Sequence, residues 1–485
     1  MSLINPCSLL IQDRFSSGIL VSVERGEIFT IVSEYLSDIP HLKVTVWIQL
    51  GSAHQFAFVE CEAEVIYASS FSNNSYLSKH IQSYLLLVRL TSHSFSHYDF
   101  EPLQPYNHLS CSPISQGECV LVVGSPFGPL CPPVLLNNQF RGIVSKTIGS
   151  LGMLLIDTFS PNGLSGAPVY ILKKEKPYLY GLLIKDFNSA LETGSNITLS
   201  TIFPVISIMK LLLQYLSHAN ISLSVFDILL PLSRFSPIIN PISFFSYSSI
   251  IPRTILSRVV KLQINNTCGT GILITDNICL TCAHVVANLS SDSTIQVSLN
   301  YPITKFVPFH IVFTTEPNVY PDIALLVNSK FNYCSLPDKF DINIEVGNEI
   351  LSTTELYSIS YQSSLVEEAI TSLALTKGCV SKVVRDGENV LFGQASCCIN
   401  PGGSGGLVID RHSYDLLGMV CGFASAETQG VKIMYPQITR FIPFDVILTL
   451  LRSGLTKSCN ELHKNVRIQK LWNYDKIGNF CLSKL

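Results

Sequence analysis

Charge is scarce in this chain. Only 14% of its 485 residues are Asp, Glu, Lys or Arg, and the formal net charge is −3. Such a surface has no basic field to gather phosphates, so neither nucleic acid nor an anionic membrane is an expected partner. The 15 cysteines are odd in number and scattered, without the repeated pairs of a structural zinc site. No metal and no cofactor is therefore expected. Met1 to Leu10 lack a basic leader segment, which predicts no secretory signal and hence reduced thiols. The uncharged run from Phe235 to Pro252 is broken by prolines and serines, so it reads as a linker and not as a membrane insertion.

What remains is apolar and strand-like. Hydrophobic residues make up 47% of the chain, and segments such as Leu42–Ile48 and Tyr84–Val88 carry the Val, Leu, Thr and Ile that suit pleated, half-buried surfaces. A chain of this length exceeds what one core can fill, so at least two domains are expected. Met209–Leu216 and the stretch from Phe444 to Leu451 read as helices. The domain plan that follows is 1–221, a Pro/Ser-rich connection over 222–252, a second domain over 253–455, and a tail over 456–485.

One hexapeptide carries more chemistry than any other, Pro401-Gly402-Gly403-Ser404-Gly405-Gly406. Glycines ahead of a serine let peptide N–H groups turn toward one point, where a carbonyl oxygen can become an anion. A serine hydroxyl is a poor nucleophile at neutral pH and needs a base; an ordinary imidazole, with a pKa near 6.5, suits. Upstream stand Leu280-Thr281-Cys282-Ala283-His284-Val285-Val286 and Pro321-Asp322-Ile323-Ala324-Leu325-Leu326. These supply His284 as base and Asp322 as the carboxylate that orients it, with Ser404 as nucleophile. The backbone N–H groups of Gly402 and Ser404 form the expected oxyanion hole.

These three boxes resemble those of the trypsin-like, chymotrypsin-fold serine proteases: Thr-x-Ala-His-Val, Asp-Ile-Ala-Leu-Leu and Gly-Gly-Ser-Gly-Gly. The resemblance covers roughly residues 253–455 and implies an all-β fold of double β-barrels with a His-Asp-Ser triad. Two departures stand out. Gly403 replaces the aspartate that secreted members use in zymogen activation, and Val285 replaces the cysteine that follows their histidine. The family's alignment also places Cys398 at the floor of the pocket for the residue before the cut, with Cys421, Gly422 and Phe423 on its wall. Such a pocket implies a preference for a small neutral side chain, cysteine above all.

The two halves of the chain read as copies. Gly18-Ile19-Leu20-Val21-Ser22 mirrors Gly271-Ile272-Leu273-Ile274-Thr275, and Gly142-Ile143-Val144-Ser145-Lys146 mirrors Gly378-Cys379-Val380-Ser381-Lys382. Gly163-Leu164-Ser165-Gly166-Ala167 mirrors Gly402-Gly403-Ser404-Gly405-Gly406. The fold class expected is thus two tandem trypsin-like double-barrel modules, the first degenerate. In that first copy Ser33 falls where the histidine belongs and Ser83 where the aspartate belongs, so Ser165 is left without a base. His54 and His80 are the nearby alternatives, and neither has the box.

The sequence closes on Ser483-Lys484-Leu485, a tripeptide read by the peroxisomal import receptor. A trypsin-like protease with a degenerate first half and this tripeptide resembles the peroxisomal leader-peptide-processing proteases. That resemblance implies a matrix location, matrix proteins including β-oxidation enzymes as substrates, self-cleavage, and association into homo-oligomers. An HtrA-type quality-control protease is the nearest alternative, expected to carry a peptide-binding module after the protease domain. A non-catalytic protein of the same fold is the other.

Overall fold

In the computed structural model the described residues are 6–11, 14–22, 27–32, 44–52, 55–70, 84–91, 114–126, 138–148, 153–158, 163–174, 176–184, 199–204, 249–264, 267–289, 293–299, 305–315, 321–330, 350–362, 373–386, 389–428 and 431–452. They form 24 strands that close into four six-stranded barrels. The chain divides into two compact units. One holds β1 (Pro6–Ile11) to β12 (Leu199–Pro204), the other β13 (Val259–Ile264) to β24 (Val431–Pro443). Each unit is a double β-barrel, as the motifs implied.

All four barrels share one strand order. In the third it runs β13, β14 (Thr267–Thr275), β15 (Ile278–Thr281), β18 (Ala324–Asn328), β17 (Lys305–Thr314), β16 (Ile295–Leu299). Closure by antiparallel pairs removes every edge that would otherwise leave peptide groups unpaired. The cores follow from the two-residue period of a strand. On β1 the side chains of Cys7, Leu9 and Ile11 are all buried, joined by Val44, Val46, Leu86 and Val88. Leu262, Cys279, Ile295, Val297, Phe309 and Leu326 fill the third barrel; Leu356, Val380, Val408, Val420 and Phe441 sit in the fourth. A helix, Phe444–Arg452, caps the second unit with Phe444, Val446, Ile447, Leu450 and Leu451 turned inward. The helix expected over Met209–Leu216 lies outside the described residues, as do the tail and all of the linker but its last residues, 249–252. No helix of the described residues is long and apolar enough to cross a membrane.

The internal repeat extends to single hydrogen bonds. In the first unit the N–H of Ser17 donates to the Ser165 carbonyl (2.7 Å), and in the second that of Thr270 donates to the Ser404 carbonyl (3.2 Å). The Thr30 hydroxyl donates to the Ser17 carbonyl at 2.6 Å and that of Thr281 to the Thr270 carbonyl at 2.7 Å. Gly166 N–H meets the Leu183 carbonyl as Gly405 N–H meets that of Val420, at 2.7 and 2.8 Å. Both glycine pairs take left-handed φ: 94° and 80° at Gly163 and Gly166, 88° and 85° at Gly402 and Gly405.

Candidate active site

The site lies where the third and fourth barrels meet. Strand β15 is buried along its whole length and ends at Thr281. Cys282 continues extended, then a single helical turn, Ala283–Val286, carries His284. Ala283 and Val286 are buried, so this turn is pinned to the barrel and the imidazole is offered at its rim. Asp322 precedes β18, the neighbour of β15, with Thr281 opposite Ala324. Thr315 ties down the aspartate's loop: its N–H donates to the Ile323 carbonyl and its hydroxyl accepts the Ile323 N–H, both at 2.9 Å.

The two side chains meet as predicted. Asp322 is fully buried, and one carboxylate oxygen accepts the backbone N–H of His284 at 2.9 Å while the other engages His284 Nδ1. A carboxylate held by both contacts fixes the ring so that Nε2 is the atom left for chemistry. That Nε2 is buried and has no hydrogen-bond partner among the described residues, and the same is true of Ser404 Oγ, the nucleophile expected from the sequence. Buried polar groups are nearly always bonded, so an open Nε2 and an open Oγ are both free to take part in chemistry.

The serine loop is more telling still. Four peptide N–H groups from Asn400 to Gly406 have partners. Asn400 donates to Gln362 Oε1 at 3.1 Å, Gly403 to the Asn400 carbonyl and Gly406 to the Gly403 carbonyl at 3.0 Å, and Gly405 to the Val420 carbonyl at 2.8 Å. Pro401 has no N–H. The two that remain without a partner among the described residues are those of Gly402 and Ser404, the pair expected to hold an oxyanion. Gly405 must be glycine: a Cβ there would stand 2.0 Å from the Thr270 carbonyl oxygen.

Cys282, His284 and Asp322 offer ligand atoms all within 4.8 Å of one another, the spacing of a possible cation site. Their bonding argues otherwise. The Cys282 sulfur donates to the Val420 carbonyl at 3.2 Å, and burial first, then the Asp322 charge beside it, push its pKa well up and keep it a thiol. Cys279 and Cys282 make a lone CxxC that the sequence reading passed over. Cys279 points into the barrel core, and its thiol is pushed up by burial as well.

Of the pocket residues, Cys398 is half-buried beside the fully buried Cys397, whose carbonyl accepts the Thr439 hydroxyl at 2.6 Å. Cys421 and Phe423 are both buried, at 2% and 1% exposure, and Gly422 between them has φ of 138°. Phe423 is thus enclosed by its barrel. In the first unit Ser165 occupies the place of Ser404, while Ser33, Ser83, His54 and His80 lie outside the described residues, as do Ser483, Lys484 and Leu485. Two residues absent from the sequence reading, Thr270 and Gln362, hold the serine loop. Their one visible signal is the hydroxyl set between Gly269 and Gly271, matched by Ser17 before Gly18.

Residues 269–419 match the trypsin-like peptidase domain family. The peroxisomal leader peptide-processing protease of Mus musculus is 25% identical over 341 residues, 70% of this chain and 56% of that protein. The Homo sapiens protein of the same name is 24% identical over 334 residues, 69% and 55% of the two chains. This chain spans about half the length of these curated relatives. Among solved structures, the inactive form of the Rv3671c protease of M. tuberculosis aligns with 18% identity and a TM-score of 0.30, covering 42% of this chain and 91% of that one. Deg5 aligns with 20% identity and the same TM-score, covering 42% and 92%. The chain is thus similar to the peroxisomal leader peptide-processing proteases over about 70% of its length, and its residues 269–419 match a trypsin-like peptidase domain.

Proposed function

We propose that this chain is a peroxisomal serine endopeptidase that processes matrix proteins by cutting peptide bonds with the His284-Asp322-Ser404 triad. The observation that carries the reading is the pair of unused N–H groups at Gly402 and Ser404 beside an unpartnered Ser404 Oγ and His284 Nε2. His284 Nε2 takes the hydroxyl proton as Ser404 Oγ attacks the carbonyl carbon. The oxyanion that forms accepts the two N–H groups, and Asp322 stabilises the imidazolium. The imidazolium then gives its proton to the leaving amine, and water repeats the sequence on the acyl-enzyme. The first unit keeps the serine loop without the box histidine and serves as a non-catalytic module. Ser483-Lys484-Leu485 is the segment that the import receptor would read, and self-association is part of the same reading.

Substrate choice follows from the neutral pocket assigned to Cys398, Cys421, Gly422 and Phe423. Cleavage should follow a small uncharged residue, cysteine foremost, and should reject Arg and Lys. Burying a cation without a counter-charge costs several kcal/mol, which corresponds to a loss of more than about a hundredfold. A peptide library varied at that one position measures it. Efficient cleavage after Arg would overturn the pocket and the substrate class together. N-terminal sequencing of matrix proteins from cells carrying wild-type or Ser404→Ala protein would identify the natural cuts.

A further inference from the structure

The serine loop is held by a side chain that neither the triad nor the oxyanion hole includes. Thr270, on β14 of the third barrel, is fully buried. Its hydroxyl donates to the Gly402 carbonyl at 2.7 Å and accepts the Tyr361 N–H at 2.9 Å. Its backbone N–H meets the Ser404 carbonyl at 3.2 Å, and its own carbonyl accepts the Thr281 hydroxyl at 2.7 Å. Thr281 stands three residues before His284. One residue therefore ties the strand that presents the base to both residues whose N–H groups face the oxyanion.

Fixing the Gly402 carbonyl fixes the peptide plane that follows this glycine, which sits at φ of 88°. The Gly402 N–H belongs to the preceding plane, and a glycine's wide freedom lets both planes turn when neither is held; with the carbonyl bonded, that N–H can turn only by rotation about the two bonds of Gly402 against a fixed carbonyl. The hydroxyl thus narrows the directions open to that N–H before substrate arrives, the condition under which such donors contribute most to rate.

The first unit supplies an internal control. Ser17 takes the position of Thr270, and its hydroxyl donates to the Gly163 carbonyl at 2.8 Å and accepts the Ser125 N–H at 3.0 Å. Gly163 holds φ of 94° there. The hydroxyl and the loop shape thus occur together where no box histidine stands, so the clamp belongs to the loop and not to the base.

We propose that Thr270 is a positioning residue that presets the oxyanion hole through its hydroxyl, and that a hydroxyl of either Ser or Thr suffices. The proposal rests on the protease reading above. In the full chain, Thr270→Ser should keep kcat within a few fold. Thr270→Val, equal in size but without the hydroxyl, should lower kcat about a hundredfold, in the range for loss of one oxyanion donor, with KM nearly unchanged. Affinity for a peptide aldehyde carrying the preferred sequence should fall with kcat, a change that loss of folded protein alone would not produce once values are normalised to folded enzyme. Thr270→Ala provides the same readout should the valine variant fold poorly, and Ser17→Val should leave kcat untouched. Wild-type kcat and aldehyde affinity in both hydroxyl-free variants would overturn the proposal, as would an equal loss in Thr270→Ser. Cleavage surviving Ser404→Ala would instead overturn the protease reading, so the two failures are distinguishable.

Discussion

Cys282 shows how tightly the site's surroundings are sealed. It lies between Thr281 and the turn that carries His284, and its thiol is held protonated by burial and by the carboxylate of Asp322. Since the folded state keeps that proton and the unfolded chain releases it near the ordinary value, about 8.5, the sign of the linkage is clear. Stability is full below that pH and declines as pH rises above it. Each such thiol should contribute about 1.4 kcal/mol per pH unit to the decline. Urea unfolding of wild type and Cys282→Ala between pH 9 and 10 should therefore give a shallower slope for the variant by about that amount. Equal slopes would mean that the sulfur ionises in the folded protein. The sequence made the neighbouring His284 legible because its box is local in the chain. It left the role of Thr270 hidden, because the partners of its hydroxyl, Gly402 and Tyr361, lie on segments distant in sequence.

At the scale of elements, strand character was readable and strand pairing was not. The segments read as strands, Leu42–Ile48 and Tyr84–Val88, fall on the strands Val44–Ser52 and Tyr84–Leu90, and Phe444–Arg452 stands where a closing helix was expected. Which strands close each barrel depends on register, set by contacts between segments far apart, such as Thr281 with Ala324 and Gly393 with Phe441. The serine loop illustrates how sequence and packing meet. A Cβ at Gly405 would be 2.0 Å from the Thr270 carbonyl oxygen at φ of 85°, whereas one at Gly422 would meet nothing within 4 Å at φ of 138°. Both substitutions to alanine strain the backbone, but only the first also collides. Gly405→Ala should destabilise the protein more than Gly422→Ala does, by roughly 1–3 kcal/mol of overpacking. Chemical denaturation measures the difference; equal midpoints would show that the loop can move away from β14.

For the whole molecule, the duplication raises the question of how many of its two serine loops work. Several backbone bonds of the two loops correspond among the described residues, from Ser17 with Ser165 to Thr270 with Ser404. A serine between glycines is therefore no evidence of reactivity by itself; what separates the copies is the partner. Asp322 and His284 engage each other in the second unit, whereas the sequence gives the first no histidine box at the matching place. A hydroxyl nucleophile needs its proton taken during attack, and the sequence sets no box histidine to take it from Ser165. A fluorophosphonate should thus attach once per chain, at Ser404, as read by intact mass. Ser404→Ala should abolish both the label and proteolysis, since triad members act as a unit and losing one costs several orders of magnitude. Ser165→Ala should change neither by more than a few fold. Two labels per chain, or a label that survives Ser404→Ala and vanishes with Ser165→Ala, would mean that the first unit recruits a base from elsewhere and that both copies are enzymes.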